Sequence, residues 1–564
     1  MHLLKKKELW IIIALIALII LFSVSSRVAI FNGVTTQDIY IDALDGTKIH
    51  AVIYKQTGAT GKLPAVIIVH GFSESYATMN GISTELARHG VLVMAVDYRG
   101  HGDSGGGVNY IGDPILAPNI SNDLLVAYQQ LITRDDVDSS KIGLIGHSMG
   151  SRAVLVFSIL NPEIVSTIMI GPYYIWESTL VSTNVPKNLL IIVGENDIIT
   201  PPNLARELFS KATNYAGTVG ELYGDFSNGT ARKLFIAKGA DHYTVLTNKV
   251  VLKEILEWIY GSFGLTGVPK VIVDPAVIAT GTLITYFVLI LIFPLIYYTK
   301  DYFKEKFKPG EEIKIEYGRF LRILFLGISI VAYILIAYFT FPIIVEKGWE
   351  SYQFFILSGA QYTFYYFYYL TLPILVALVI VFILLFLYKI ITIESIKRHI
   401  IGGLILGIII SICVFIWVFI GFNIAFTGLY ADYLLTARRW SVFLFFLILL
   451  YPLLLIDEVF LRYVIQNNIP IDKKPFKLVA IIVLEYIIRI IPLMFWFTLA
   501  FNKPALIDAL YNYYKAGLIK NLDIVVAFLP MNAYALYYSF ASVELFHASS
   551  ASYIYEETRN ILST

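Results

Sequence analysis

Hydrophobic positions fall into two regimes along this chain. Between residues 36 and 264, short apolar runs alternate with amphipathic segments, and Gly, Asp and Pro punctuate between them, as in a soluble domain. The runs 65–69, 91–96, 142–145, 167–170, 189–193 and 234–236 are continuously apolar, the pattern of strands buried on both faces. Helical patterns between most of them predict an α/β fold, a mostly parallel sheet with helices on both faces. Residues 37–43 and 48–54, joined by the turn-forming Asp45-Gly46, predict a leading antiparallel hairpin.

Elsewhere the apolar runs are long. Lys5, Lys6 and Lys7 precede the apolar stretch 9–24, which at about 1.5 Å per residue just spans a hydrocarbon core of about 30 Å. Residues 1–27 are therefore expected to be a transmembrane anchor, with Ser23, Ser25 and Ser26 leaving a cleaved signal peptide as the alternative. After a linker at 265–276, seven further spans are predicted near 277–298, 323–345, 367–390, 400–424, 441–461, 478–501 and 524–546. They would form an all-α polytopic transmembrane domain over 277–550, followed by a tail at 551–564. The lysine flank and the basic loops 300–322, 389–399 and 462–477 then share one side. The expectation is a multi-pass protein of the cell membrane with both termini cytoplasmic and the soluble domain extracytoplasmic. The aromatic run 362–369 falls at the outer boundary, where amphipathic rings favour the headgroups.

Composition agrees with two solvents, since 57% of the 564 residues are hydrophobic and only 15% charged. A net charge of +1 gives no broad basic face and sets nucleic-acid binding aside. The single cysteine, Cys413, excludes an internal disulfide framework and a cysteine-ligated metal site. No cofactor or metal is expected.

Gly146-His147-Ser148-Met149-Gly150 lies between an apolar strand and a helix-like segment. A strand-to-helix turn this tight needs small residues beside a nucleophile and lifts the serine hydroxyl off the sheet. Such a serine needs two amides for the oxyanion: Met149 supplies one, and Gly71 permits a turn that aims the Phe72 amide at the same point. It also needs a base and an orienting carboxylate. Asp197 follows the strand at 189–193 and His242 the strand at 234–236, so serine, acid and histidine come in the order this architecture uses. Glu195 is the alternative acid, with Asp197 then capping a helix before Pro201-Pro202. His50, His70, His89, His101 and His147 compete with His242, yet only His242 follows the last strand. His70 and His147 read as loop-holding histidines, and Asp103 as a loop-stabilising carboxylate.

Residues 36–264 resemble an α/β-hydrolase of the esterase, monoacylglycerol-lipase and serine-aminopeptidase type. The resemblance rests on His70-Gly71-Phe72, the run from Asp97 to Ser104, the elbow at Ser148, Asp197 and His242. It implies Ser148 as nucleophile, His242 as general base and then acid, and Asp197 as the partner that orients it. Only about residues 171–187 separate the sixth strand from the acid-bearing strand, too few for the helical lid many lipases carry there. The expected site is open, or covered by the membrane domain or by the insert 204–232.

Asp457, Glu458 and Arg462 sit on one predicted span, and Glu485 and Arg489 on the next. Buried charges of this kind pair with one another or mark a pathway. Asp457-Glu458-Val459-Phe460-Leu461-Arg462 faintly resembles the E-E-x-x-x-R motif of the CAAX-processing protease superfamily. That superfamily also needs two histidine-bearing helices, whereas this half offers only His399 and His547.

The sequence therefore predicts a membrane-anchored serine hydrolase that cleaves carboxylic, lipid-like or acyl esters through an acyl-enzyme. Its partners would be a small-molecule or lipid ester and the bilayer, with no nucleic acid; no residue identifies a protein partner. A serine peptidase with the same triad is the rival enzyme. A transporter or receptor whose hydrolase-like domain only binds a ligand is the rival from another class.

Overall fold

The structure is a computed structural model that describes residues 28–272 apart from 73, 108–117, 174–176 and 268, then 318–350 and most of 453–520, with scattered positions elsewhere. Eight strands form one sheet: β1 (Val34–Asp42), β2 (Lys48–Gln56), β3 (Leu63–Val69), β4 (Leu92–Val96), β5 (Val137–His147), β6 (Ser166–Ile170), β7 (Leu189–Gly194) and β8 (Arg232–Ala237). Their order is β1-β2-β4-β3-β5-β6-β7-β8. β1 pairs antiparallel with β2, and β2 with β4, while β4, β3, β5, β6, β7 and β8 all run parallel. Parallel neighbours need crossovers, and the helices α1 (Asn80–Arg88), α2 (Pro118–Ile132), α3 (Met149–Leu160), α4 (Pro202–Ala212) and α5 (Lys249–Phe263) lie between or after the strands.

Strand periodicity decides which side chain meets which helix. Ile67, Leu144 and Ile191 point to one face, where Leu124 of α2, Leu155 of α3 and Leu208 of α4 cover them. Val66, Ile68, Ile145 and Ile192 point to the other, against Leu86 of α1 and Ile255 and Trp258 of α5. Both faces are dry, which is why these strands carry apolar residues at every position.

The hairpin closes through Ala43 and Thr47, whose amide and carbonyl are 2.8 Å apart, while Asp45 Oδ1 accepts from the Thr47 amide at 3.1 Å. Gly46 takes φ +78°, a conformation an L side chain resists. β5 starts five residues before the predicted 142. Its first half is polar and partly exposed, and the register with β3 shifts between Leu63 and Ala65. A reading based on apolar runs passes over such a strand end.

In the C-terminal half, α6 (Arg319–Glu350) and α7 (Lys474–Ala500) contain the predicted spans 323–345 and most of 478–501. Two stretches there, Arg319–Lys347 and Pro475–Trp496, are long and apolar enough to cross a membrane, with mean hydropathies of 2.5 and 2.4. The short helix α8 (Lys503–Lys515) was not predicted. The spans near 9–24, 277–298, 400–424 and 524–546 lie almost wholly outside the described residues, as does Cys413, and those at 367–390 and 441–461 are described only in part.

Asp457, Glu458, Arg462, Glu485 and Arg489 are buried and paired. Arg489 Nη2 lies 2.5 Å from Asp457 Oδ2, Arg462 Nε 2.9 Å from Glu458 Oε2, and Arg462 Nη1 2.6 Å from Glu485 Oε1. The Tyr333 hydroxyl of α6 donates to Asp457 at 3.2 Å. Arg462 sits in a π-helical turn, Phe460–Ile465. It belongs to this network and not to the basic loop predicted at 462–477, whose remaining charges are Asp472, Lys473, Lys474 and Lys477.

Candidate active site

Five parallel strand ends meet at one rim. β3 delivers His70, Gly71 and Phe72; β5 delivers Ser148; Gly171 follows β6; Asp197 follows β7; His242 follows β8. Ser148 holds φ 50° and ψ −116° at the start of α3. That strained conformation is the one a sharp strand-to-helix elbow imposes on its nucleophile. Its glycines are sterically required. A methyl on Gly146 would lie 2.2 Å from the Gly150 carbonyl oxygen, and one on Gly150 would lie 2.6 Å from that of His70. The elbow is anchored by the Ser148 amide, which donates to the Ile170 carbonyl at 2.8 Å.

His242 Nδ1 lies 2.7 Å from Asp197 Oδ2, with both side chains buried. The carboxylate is fixed in turn by the Ile199 and Thr200 amides on Oδ1, at 3.0 and 2.8 Å, and by the Thr200 hydroxyl on Oδ2 at 2.9 Å. Asp197 thus forms a local turn and does not cap α4, whose preceding residue is Pro201. Glu195, the alternative acid, is exposed and instead accepts from the Gly239 amide at 2.8 Å. Gly171 makes room for the imidazole, since a methyl there would lie 2.9 Å from His242 Cε1.

The structure brings Asp197 and His242 into direct contact and sets Ser148 at the end of β5, with β6 between it and the strand that carries Asp197. Among the described residues no hydrogen bond joins the Ser148 hydroxyl to His242; such bonds are often long without substrate and tighten when it arrives. Gly71 lies against Ser148, a methyl there coming within 3.0 Å of its Cβ. Phe72 is half-buried beside it. Met149 opens α3 directly after Ser148.

Glu74, which the sequence pattern did not single out, lies beneath these loops. Its Oε2 accepts from the Gly71 amide at 2.7 Å, and His147 Nδ1 lies 3.0 Å from its Oε1. The other His147 nitrogen lies 3.0 Å from the His242 carbonyl oxygen, and the two rings are 4.7 Å apart. Burial pushes the Glu74 carboxyl up, but the charge and hydrogen bond of His147 and the Gly71 amide outweigh it and hold the carboxyl below its ordinary range. Burial likewise pushes His147 down, and Glu74 more than reverses it.

A second buried cluster supports the rim from the hairpin side. His50 of β2 sits between Asp97 Oδ2 at 2.8 Å and Asp38 Oδ1 at 3.0 Å. Burial alone would lower its pKa, yet the two carboxylates push it up to about 9. Asp97 also accepts from the Tyr76 amide at 2.7 Å and the Asp103 amide at 3.0 Å. Its Oδ1 lies 3.8 Å from His70 Nε2. His50 and His70 are therefore parts of the scaffold, and Asp103 contributes its main chain to the loop. His101 lies against His70, with ring centroids 5.1 Å apart. His89 stands apart at the end of α1, bonded to the Glu85 carbonyl at 2.8 Å.

The insert between β7 and β8 does not lie over this rim. Gly220 donates to the Leu234 carbonyl at 2.9 Å, and Tyr223 exchanges hydrogen bonds with Arg232. The segment thus covers the free edge of β8, which would otherwise expose unpaired backbone groups.

Residues 62–189 match the family described as serine aminopeptidase, S33. Cutinase 2 of Thermobifida cellulosilytica is 22% identical over 199 residues, covering 35% of this chain and 66% of that protein. Cutinase cut1 of Thermobifida fusca is also 22% identical over 199 residues, covering 35% of this chain and 54% of the relative. The match thus spans between about half and two thirds of these relatives' length. The α/β hydrolase GrgF from Penicillium sp. sh18 has a TM-score of 0.32 at 16% identity, covering 41% of this chain and 99% of that one. Strand order, strand direction and the elbow at Ser148 give the N-terminal half of this chain an α/β-hydrolase fold, with which the family match over 62–189 agrees.

Proposed function

We propose that the chain is a membrane-anchored serine hydrolase acting on carboxylic esters. The reading is carried by the 2.7 Å hydrogen bond between Asp197 and His242 at the rim where Ser148 holds its strained elbow conformation. Ser148 attacks the ester carbonyl carbon, and His242 Nε2 takes the hydroxyl proton while Asp197 stabilises the imidazolium through Nδ1. The Phe72 and Met149 amides stabilise the oxyanion. His242 returns the proton to the leaving alcohol. Water, deprotonated by the same imidazole, then releases the carboxylic acid and restores Ser148.

One observation favours an ester: the similar proteins above include cutinases. The matched family description, serine aminopeptidase, supports the second reading, a peptidase using the same residues. The two stretches at Arg319–Lys347 and Pro475–Trp496 support anchoring in a membrane, with the predicted span at 9–24 and the remaining spans completing the topology. The paired charges at Asp457, Glu458, Arg462, Glu485 and Arg489 support a structural network there. His399 and His547, which the CAAX-processing resemblance would need, lie outside the described residues.

Panels of p-nitrophenyl esters and aminoacyl p-nitroanilides, offered to the full chain and to Ser148→Ala, separate the readings. Ester turnover that Ser148→Ala abolishes is expected. Turnover of the anilides alone would make the protein a peptidase.

A further inference from the structure

Both chain segments that lead toward hydrophobic spans leave the hydrolase domain at one corner. α1 runs down to the starting end of β4, so its last turn, with Glu85, Arg88 and His89, lies at the sheet edge opposite the catalytic rim. Arg88 reaches the incoming segment there. Its Nε donates to the Asn32 carbonyl at 2.9 Å and its Nη2 to the Ala29 carbonyl at 3.1 Å and to the Ile30 carbonyl. Glu85 holds the outgoing segment, its Oε1 accepting from the Ile272 amide at 2.6 Å. The two side chains pair with each other at 3.1 Å and are 1% and 8% exposed for Glu85 and Arg88.

Strand direction gives the same answer. β1 runs parallel to the catalytic strands, because it is antiparallel to β2 and β2 is antiparallel to β4. Val34 therefore begins at the lower edge. α5 starts just after the His242 loop and descends to Gly264, with the Tyr260 hydroxyl donating to the His89 carbonyl at 3.3 Å. Phe31, Leu265 and Val271 pack against the same core as α1 and α5. Few residues separate this corner from the spans: 25–28 on one side and 273–276 on the other. At roughly 3.5 Å per extended residue, each connection reaches about 14 Å. The seven residues of β3 alone cover about 23 Å between the lower edge and the rim.

We propose that the Glu85–Arg88 pair is a tether clamp, and that the catalytic rim consequently faces away from the bilayer holding the protein. The substrate is then an acyl ester delivered through the aqueous phase, not a lipid of the host leaflet. This rests on the flanking apolar segments being spans and deepens the ester-hydrolase reading by naming the route of its substrate.

The test uses the full chain with Cys413→Ser, reconstituted in phosphatidylcholine vesicles. An environment-sensitive fluorophore is placed at Asn196→Cys, exposed at the rim, or at Thr57→Cys, exposed at the lower edge. Brominated lipids should quench the Thr57 label at least severalfold more than the Asn196 label, and aqueous iodide should reach Asn196. Bromolipid quenching at Asn196 equal to or above that at Thr57 would overturn the proposal. In the same vesicles, p-nitrophenyl butyrate from solution should be turned over at least tenfold faster than a fluorogenic ester lipid built into the host bilayer. Hydrolysis of that lipid rising with its mole fraction in the bilayer would also overturn the proposal. The quenching pattern does not depend on catalysis, so the orientation stands or falls separately from the hydrolase reading, which a loss of all ester turnover would remove.

Discussion

Glu74 and His147 form a buried ion pair, their nearest atoms 3.0 Å apart, that ties together the loops carrying Gly71, Ser148 and His242. Removing Glu74 lets burial pull the His147 pKa down, so the imidazole turns neutral and loses its partner while the Gly71 amide loses its acceptor, at a cost of about 1–3 kcal/mol. Glu74→Ala should therefore lower the stability of the hydrolase domain by about that much in urea unfolding. It should also slow turnover, because Gly71 loses the acceptor that sets its amide.

The same pair fixes a pH window. The Glu74 carboxyl is depressed below its ordinary 4.5, so its contribution is present above that value and lost as pH falls through the folded one. His147 is raised above its ordinary 6.5, so its contribution is complete below 6.5 and lost as pH rises through the folded value. Thermal unfolding should find the pair's stabilisation complete between those limits, and Glu74→Gln should flatten both flanks.

His50 predicts a separate alkaline loss. Its shift from 6.5 to about 9 corresponds to stabilisation on the order of 3 kcal/mol, present below 6.5 and lost as pH rises through about 9. Asp38, Asp97 and Asp103 are the charges that face it. The melting temperature should fall between pH 7 and pH 10, and His50→Ala should remove this part of the fall while lowering the value at pH 7.

Asp197→Asn keeps the shape of the site but replaces the acceptor that holds the His242 Nδ1 proton. Loss of the correct tautomer costs about 10⁴ in turnover in a serine triad. Steady-state kinetics should show kcat falling by about 10³–10⁴ with KM little changed.

Gly150→Ala tests the packing of the elbow. Its new methyl would lie 2.6 Å from the His70 carbonyl oxygen, where backbone and not a flexible side chain must give way. Overpacking of this kind costs about 1–3 kcal/mol or more. Differential scanning calorimetry should show a lower melting temperature together with lost turnover.

The parts of this protein legible in sequence are those where one physical rule dominates. Strands buried on both faces, such as Leu63–Val69, declare themselves as apolar runs. The elbow declares itself because Gly146 and Gly150 leave no room for a side chain. The placement of Ser148, Asp197 and His242 at strand ends of one rim follows from the elbow pattern and from the apolar strands that precede each of them. Glu74 was invisible because its partner His147 lies 73 positions away, and no local pattern marks a pair made by tertiary packing. Asp38 and His50 are near in sequence, yet their meaning comes from Asp97, which the sheet brings to His50. The tether corner was equally hidden, since strand direction and not residue type sets it. Arg462 fell both on the span with Asp457 and Glu458 and at the first position of the basic loop 462–477, and a π-helical turn over Phe460–Ile465 puts it on the helix.

The proposed hydrolysis requires Ser148 to be an activated nucleophile. Treating the full chain with a fluorophosphonate and mapping the adduct by mass spectrometry tests it most directly. One adduct is expected, on Ser148, absent from Ser148→Ala and strongly slowed in His242→Ala. Labelling at another serine, or none in a folded protein that still turns over esters, would contradict it.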